Sequence, residues 1–167
     1  MGESVKEYVA RMVEISTGLT RKVYEYIQRY GEYFEGAFPS SVLPRSALVR
    51  VLVKPRKSWC FYNAQMLTML HPIRNIEYYE GVGDNGVFIG AHAWNLYEGK
   101  VVDITWEDIP EEFKDIPDVR PLSKFQYFGV RMPYEFVRQH NPIKTRTTQP
   151  LLFRYLEEKT LDNPKSP

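Results

Sequence analysis

Cysteine is almost missing from this chain: of 167 residues, Cys60 alone is one. That excludes an internal disulfide and any multi-cysteine zinc site, so Cys60 is either a free thiol or a small packed hydrophobe. An excess of one charge sign is missing too. Lys and Arg number 22 against 21 Asp and Glu, a net +1, whereas a phosphate backbone is normally met by a basic excess or stripe; nucleic acid is therefore not an expected partner. There is no long hydrophobic run at the start. MGESVKEYVARMVEI mixes charges into its apolar positions, unlike a signal peptide or a membrane span, so the expectation is a cytoplasmic chain with no membrane partner. Internal repeats, low-complexity tracts and a linker are also absent, and the length suits one domain with a real core.

What is present reads as mixed helix and sheet. From Glu3 to Tyr30 the apolar residues Val5, Val9, Met12, Val13, Leu19, Val23, Ile27 and Tyr30 recur at three- and four-residue intervals, predicting one or two amphipathic helices with a break near Gly18. Gly31 to Pro44 has a loop composition. Leu48 to Val53 is a β-branched and aliphatic run that predicts a strand. Cys60 to Leu70, CFYNAQMLTML, has no Gly or Pro and is apolar on nearly every face, as a buried helix would be; His71-Pro72 ends it. Strands are predicted at Ile76–Val82, His92–Tyr97 and Lys100–Trp106, the last two joined by a Glu98-Gly99 turn, with a further one at Phe125–Met132. Asp108 to Pro121 is acidic and punctuated by proline, and the chain beyond Pro142 reads as partly irregular. The acidic run from Asp103 to Asp118 and the later cations Arg131, Arg138, Lys144, Arg146 and Arg154 read as solvated faces.

One constellation carries chemistry. Nucleophilic acyl transfer needs a thiolate, a base that generates it and a third group that orients the base. Cys60 stands where a loop becomes a buried helix, and unsatisfied backbone N–H groups there favour its thiolate form. His92 and Asp103 flank the predicted hairpin, which would place them near cross-strand positions with the carboxylate in reach of the imidazole.

The order Cys60, then His92-Ala93-Trp94, then Val102-Asp103-Ile104-Thr105-Trp106 resembles the transglutaminase-like branch of the papain-like cysteine fold. The similarity spans about Ser58 to Trp106, carried by CFYNA, YYEG, HAW and VVDITW. It implies Cys60 as nucleophile, His92 as general base and acid, and Asp103 as the residue orienting His92. It also implies an α+β fold, with N-terminal helices and a buried helix, opening at the catalytic cysteine, packed on an antiparallel sheet. Three regions of a single domain 1–167 follow: an N-terminal helical region spanning residues 1–45, a catalytic core 46–132 and a C-terminal extension 133–167. No calcium-binding loop is recognisable, and no glutamine lies just upstream of Cys60.

The oxyanion donor must therefore come from elsewhere, the Cys60 N–H first, with Trp59, Tyr62 and Asn63 as further candidates. Trp59 is the aromatic expected to touch substrate, while Trp94 and Trp106 are expected to pack. Glu80 is a candidate second carboxylate behind the site, against the alternative of a solvated strand-end residue. His71 and His140 show no recognisable partners. A metal held by His71, His92 and Asp103 matches no ligand spacing, and neither metal nor cofactor is expected. The expected activity is hydrolysis of an amide in a protein, peptide or small molecule through a thioester on Cys60. The alternatives are transfer to an amine, as in a transglutaminase or N-acyltransferase, and a non-catalytic binding module on the same fold.

Overall fold

A computed structural model describes residues 3–70, 75–107, 120–140 and 150–162. Helix α1 (Val5–Ile15) opens with a capping box, in which the Ser4 hydroxyl accepts the Glu7 N–H and the Glu7 carboxylate accepts the Ser4 N–H. These two bonds satisfy amides that a helix start leaves open. The predicted break is present: α2 (Gly18–Tyr30) starts after Thr17, and Gly18 takes a φ of 58°, a left-handed value that costs glycine little. Val5, Val9, Val23, Tyr24 and Ile27 are the buried stripe of the pair, packed against Tyr78, Val82, Ala93, Phe128 and Val130 of the sheet.

The predicted strand at Leu48–Val53 is instead helix α3 (Ser46–Val53). Val49 and Val53, four residues apart, are buried beside Met66 and Leu67, while Leu48, Val51 and Leu52 stay exposed. A short aliphatic run fits either period, and here packing on a neighbouring helix overrides the β-preference of valine. Helix α4 (Cys60–Leu70) begins at the cysteine as expected and buries Asn63, Ala64, Gln65, Met66, Leu67 and Thr68.

Among the described residues, five strands form one antiparallel sheet. β1 (Glu32–Glu35), which lies in a stretch read as loop, pairs with β5 (Gln126–Met132); β2 (Ile76–Asp84), β3 (Ile89–Tyr97) and β4 (Lys100–Val102) complete the order β1-β5-β2-β3-β4. The hairpin turn at Glu98-Gly99 has positive φ at both residues, 49° and 74°, as a tight two-residue β-turn requires. Beyond the sheet come α5 (Tyr134–His140) and α6 (Leu151–Asp162); α6 falls in the segment after Pro142 expected to be partly irregular. The acidic segment expected after Asp108 lies almost wholly outside the described residues. Among those described, no helix is long and apolar enough to cross a membrane.

Alternation along the strands gives the sheet two distinct faces. Tyr78, Glu80 and Asn95 meet the helices: Gln65 Nε2 donates to the Tyr78 hydroxyl at 3.1 Å, and Asn95 Nδ2 donates to Thr68 Oγ1 at 2.8 Å. Tyr79, His92, Trp94 and Tyr127 project from the opposite face. There Tyr79, Trp94 and Tyr127 pack with Phe125 and Ala37.

Candidate active site

The loop before Cys60 is held in an unfavourable backbone shape. Lys54 and Ser58 have φ of 49° and 61°, left-handed values that cost a non-glycine residue roughly 1–2 kcal/mol each. The restraint comes from the buried Asn63. Its Oδ1 accepts the Arg56 N–H at 2.9 Å, and its Nδ2 donates to the Arg56 carbonyl at 2.8 Å and to Thr105 Oγ1 at 3.0 Å. Asn63 therefore clasps the loop leading into Cys60 and ties it to the turn after β4. Both of its amide hydrogens are used, so it is not the oxyanion donor that the sequence allowed. The first helical bond runs from Asn63 N–H to the Trp59 carbonyl, which leaves the amides of Cys60, Phe61 and Tyr62 ahead of the ladder.

His92 and Asp103 meet, though not as cross-strand partners. Asn95 is paired with Val102, and β4 ends there. Asp103 is accordingly one residue past the strand, in a turn, not on the Lys100–Trp106 strand expected from the sequence. His92 pairs on its other side with Gly81. The turn folds Asp103 back so that Oδ2 lies 2.6 Å from His92 Nε2. Asp103 itself is anchored by four donors: Oδ1 accepts the N–H groups of Thr105 and Trp106 at 3.0 and 3.2 Å, and Oδ2 accepts Tyr127 Oη–H at 3.1 Å besides the imidazole. A short polar side chain bonding backbone two and three residues ahead is a local turn device, which is why the strand stops at this residue.

With Nε2 engaged by Asp103, Nδ1 is the nitrogen left for Cys60, whose side chain is near enough to act on the imidazole. Burial opposes a positive charge on His92. The Asp103 charge and hydrogen bond, supported by the hydrogen bond and charge of Cys60, outweigh it and raise the imidazole from 6.5 to about 10. The arrangement thus favours imidazolium across the neutral range. Cys60 is partly exposed.

Trp106, expected only to pack, lies flat on the imidazole with ring centroids 3.7 Å apart and planes 9° from parallel. Gly83 makes the room, since a Cβ there would come within 2.7 Å of the indole. Phe88, an exposed residue of the β2–β3 hairpin, meets Trp106 edge-on at 6.4 Å. Trp94 packs as predicted, fully buried and stacked on Tyr79. The roles of Trp106 and Tyr127 escaped the sequence reading. Nothing in the chain signals Tyr127, which β5 alone brings to Asp103.

The other candidates fall in two places. Trp59 is exposed beside Cys60 and meets Tyr62 edge-on at 5.8 Å; the Arg56 guanidinium covers both rings, at 4.7 and 4.6 Å from their centroids. Glu80 is not a solvated strand end. It is buried in mid-strand on the helix-facing side, away from the imidazole, where it accepts Tyr78 Oη–H at 2.6 Å and the Leu151 and Leu152 N–H groups at 2.6 and 2.9 Å. It thereby caps α6. Burial raises its carboxyl to about 7 against the pull of those three donors. His140 has a partner after all, Glu158 at 3.5 Å. His71 lies outside the described residues. Among the described residues no group of three or more His, Cys, Asp and Glu is placed to hold a metal ion. Comparison of the chain with protein-family models, curated proteins and solved structures finds no match.

Proposed function

We propose that this protein is a cysteine-dependent acyl-transfer enzyme of papain-like, transglutaminase-like type that hydrolyses an amide bond. The observation that carries the reading is the 2.6 Å bond between His92 Nε2 and Asp103 Oδ2, which leaves the other ring nitrogen to Cys60. A buried carboxylate, an imidazole fixed in one orientation and a thiol at a helix start are the components that nucleophilic acyl chemistry requires.

In this mechanism Cys60 Sγ, as thiolate, attacks the amide carbonyl carbon and the carbonyl π electrons move to oxygen. The Cys60 N–H, ahead of the α4 ladder, is the first donor to that oxyanion. When the tetrahedral intermediate collapses, the C–N bond breaks and His92 Nδ1–H gives its proton to the leaving amine. A thioester remains on Cys60. Water then attacks it while neutral His92 takes the water proton, and the C–S bond breaks to release the acid and restore the thiolate. Asp103 holds the ring throughout.

Alkylation kinetics test the reading. Cys60 is expected to react with iodoacetamide at pH 7 at least about tenfold faster than a model thiol, and His92→Ala should remove the advantage. A Cys60 that reacts like a model thiol in the folded protein would sink the proposal. Thioester capture by mass spectrometry with a panel of amides and amine acceptors then identifies the acceptor.

A further inference from the structure

Most arginines of this protein face a carboxylate: Arg50 pairs with Glu107 at 3.2 Å, Arg120 with Asp84 at 2.6 Å and Arg131 with Glu77 at 2.6 Å. Arg56 does not. Among the described residues no carboxylate lies within ion-pair distance of its guanidinium, and the sequence explains this in some measure, since no Asp or Glu occurs between Glu35 and Glu77. Yet Arg56 is far from a loose surface cation. Its backbone N–H and carbonyl are both clasped by the buried Asn63, and its guanidinium rests on the Trp59 and Tyr62 rings, the residues immediately before and two after Cys60. Aromatic faces hold a guanidinium in place and leave its in-plane N–H fork free for a carboxylate. Lys54, also exposed, adds a second positive charge to the same loop.

Resting on the acyl-transfer reading, we infer that Arg56 determines specificity, binding a carboxylate of the substrate next to the scissile amide. The substrate class is an acidic peptide, with a glutamate or aspartate side chain beside the carbonyl that Cys60 attacks. A guanidinium held in advance by stacking loses little freedom on binding, so the ion pair discriminates better than one formed by a freely rotating side chain. Trp59, in the same cluster, supplies the apolar surface beside the acid.

Two haloacetyl reagents of similar size, one anionic and one neutral, test this without turnover. Cys60 is alkylated with anionic iodoacetate and neutral iodoacetamide, and the ratio of the two rates is compared between the native chain, Arg56→Gln and Arg56→Glu. Arg21→Gln, which loses a cation already paired with Glu25, controls for net charge, and thermal melting confirms that each variant is folded. The ratio is expected to fall about fivefold in Arg56→Gln, further in Arg56→Glu, and not in Arg21→Gln, with the differences shrinking at high salt. Equal ratios in the native chain and Arg56→Gln would overturn the inference, even with a highly reactive Cys60. A Cys60 reacting with iodoacetamide like a model thiol overturns the acyl-transfer reading instead, whatever the ratio. Paired peptide amides that differ only in Glu against Gln form the second arm: native enzyme should favour Glu in kcat/KM, and Arg56→Gln should lose the preference. A preference for a free terminal carboxylate over a glutamate side chain would overturn the assignment to an acidic side chain.

Discussion

Trp106 covers the face of His92 at a centroid distance of 3.7 Å, and Gly83 is the residue that lets it do so. The indole shields one face of the imidazole, and the side chains of His92 and Asp103 are both buried. Gly83→Ala would put a methyl 2.7 Å from the indole and push it off the imidazole. The expected outcome is a loss of kcat, or of Cys60 alkylation rate, on the order of tenfold or more, with a stability loss of about 1–3 kcal/mol from overpacking. Indole fluorescence and the pH profile of alkylation report the displacement. An unchanged profile would show that Trp106 is only packing.

Asp103→Asn keeps the shape of the orienting residue and removes its charge. Burial then acts on His92 without its main opponent, so the imidazole falls from about 10 toward or below its ordinary 6.5. The upper limb of the pH profile should move down accordingly, and activity at neutral pH should fall on the order of 10³–10⁴-fold, as when an orienting carboxylate is neutralised elsewhere. Stability follows the same group. Because the folded value is raised, the imidazolium's contribution is complete below pH 6.5 and is lost as pH climbs to about 10. Asp103→Asn should flatten that stretch of a melting-temperature curve.

Glu80 predicts a separate pH dependence. Its carboxyl is raised from 4.5 to about 7 in the fold, so folding favours the protonated form. That contribution is complete below pH 4.5 and is lost as pH rises from 4.5 to about 7, amounting to roughly 3 kcal/mol. Glu80→Gln should abolish this slope in denaturant titrations. At pH 8 it should also cost about 1–3 kcal/mol, because an amide N–H would replace one acceptor facing the Leu151 and Leu152 donors. Amide exchange in α6 should quicken in the variant, since Glu80 caps its first turn.

Local signals carried much of this protein. The spacing of Val5, Val9, Val23 and Ile27, the unbroken apolar run after Cys60 and the Glu98-Gly99 turn each specify their element through neighbours a few residues away, and the structure has those elements. The pairing of His92 with Asp103 was legible because one tight hairpin separates them. Val49 and Val53 lie in a six-residue run, aliphatic but for Arg50, that suits either period, and only its neighbour α4 decides between them.

Other features depend on contacts that no local pattern contains. Tyr127 reaches Asp103 across 24 residues, Glu80 reaches the start of α6 across 71, and Asn63 joins Arg56 to Thr105. The sequence by itself singled out the candidates for the proposed chemistry: the one thiol, Cys60, then His92 and Asp103, in that order. The tertiary structure decided what surrounds them, roofing His92 with Trp106, spending the Asn63 amide on the loop and setting Glu80 on the far face of the sheet. The physical reason is that reactivity belongs to a side chain, whereas desolvation, orientation and charge coupling belong to the distances between chain segments, which only the packed fold sets.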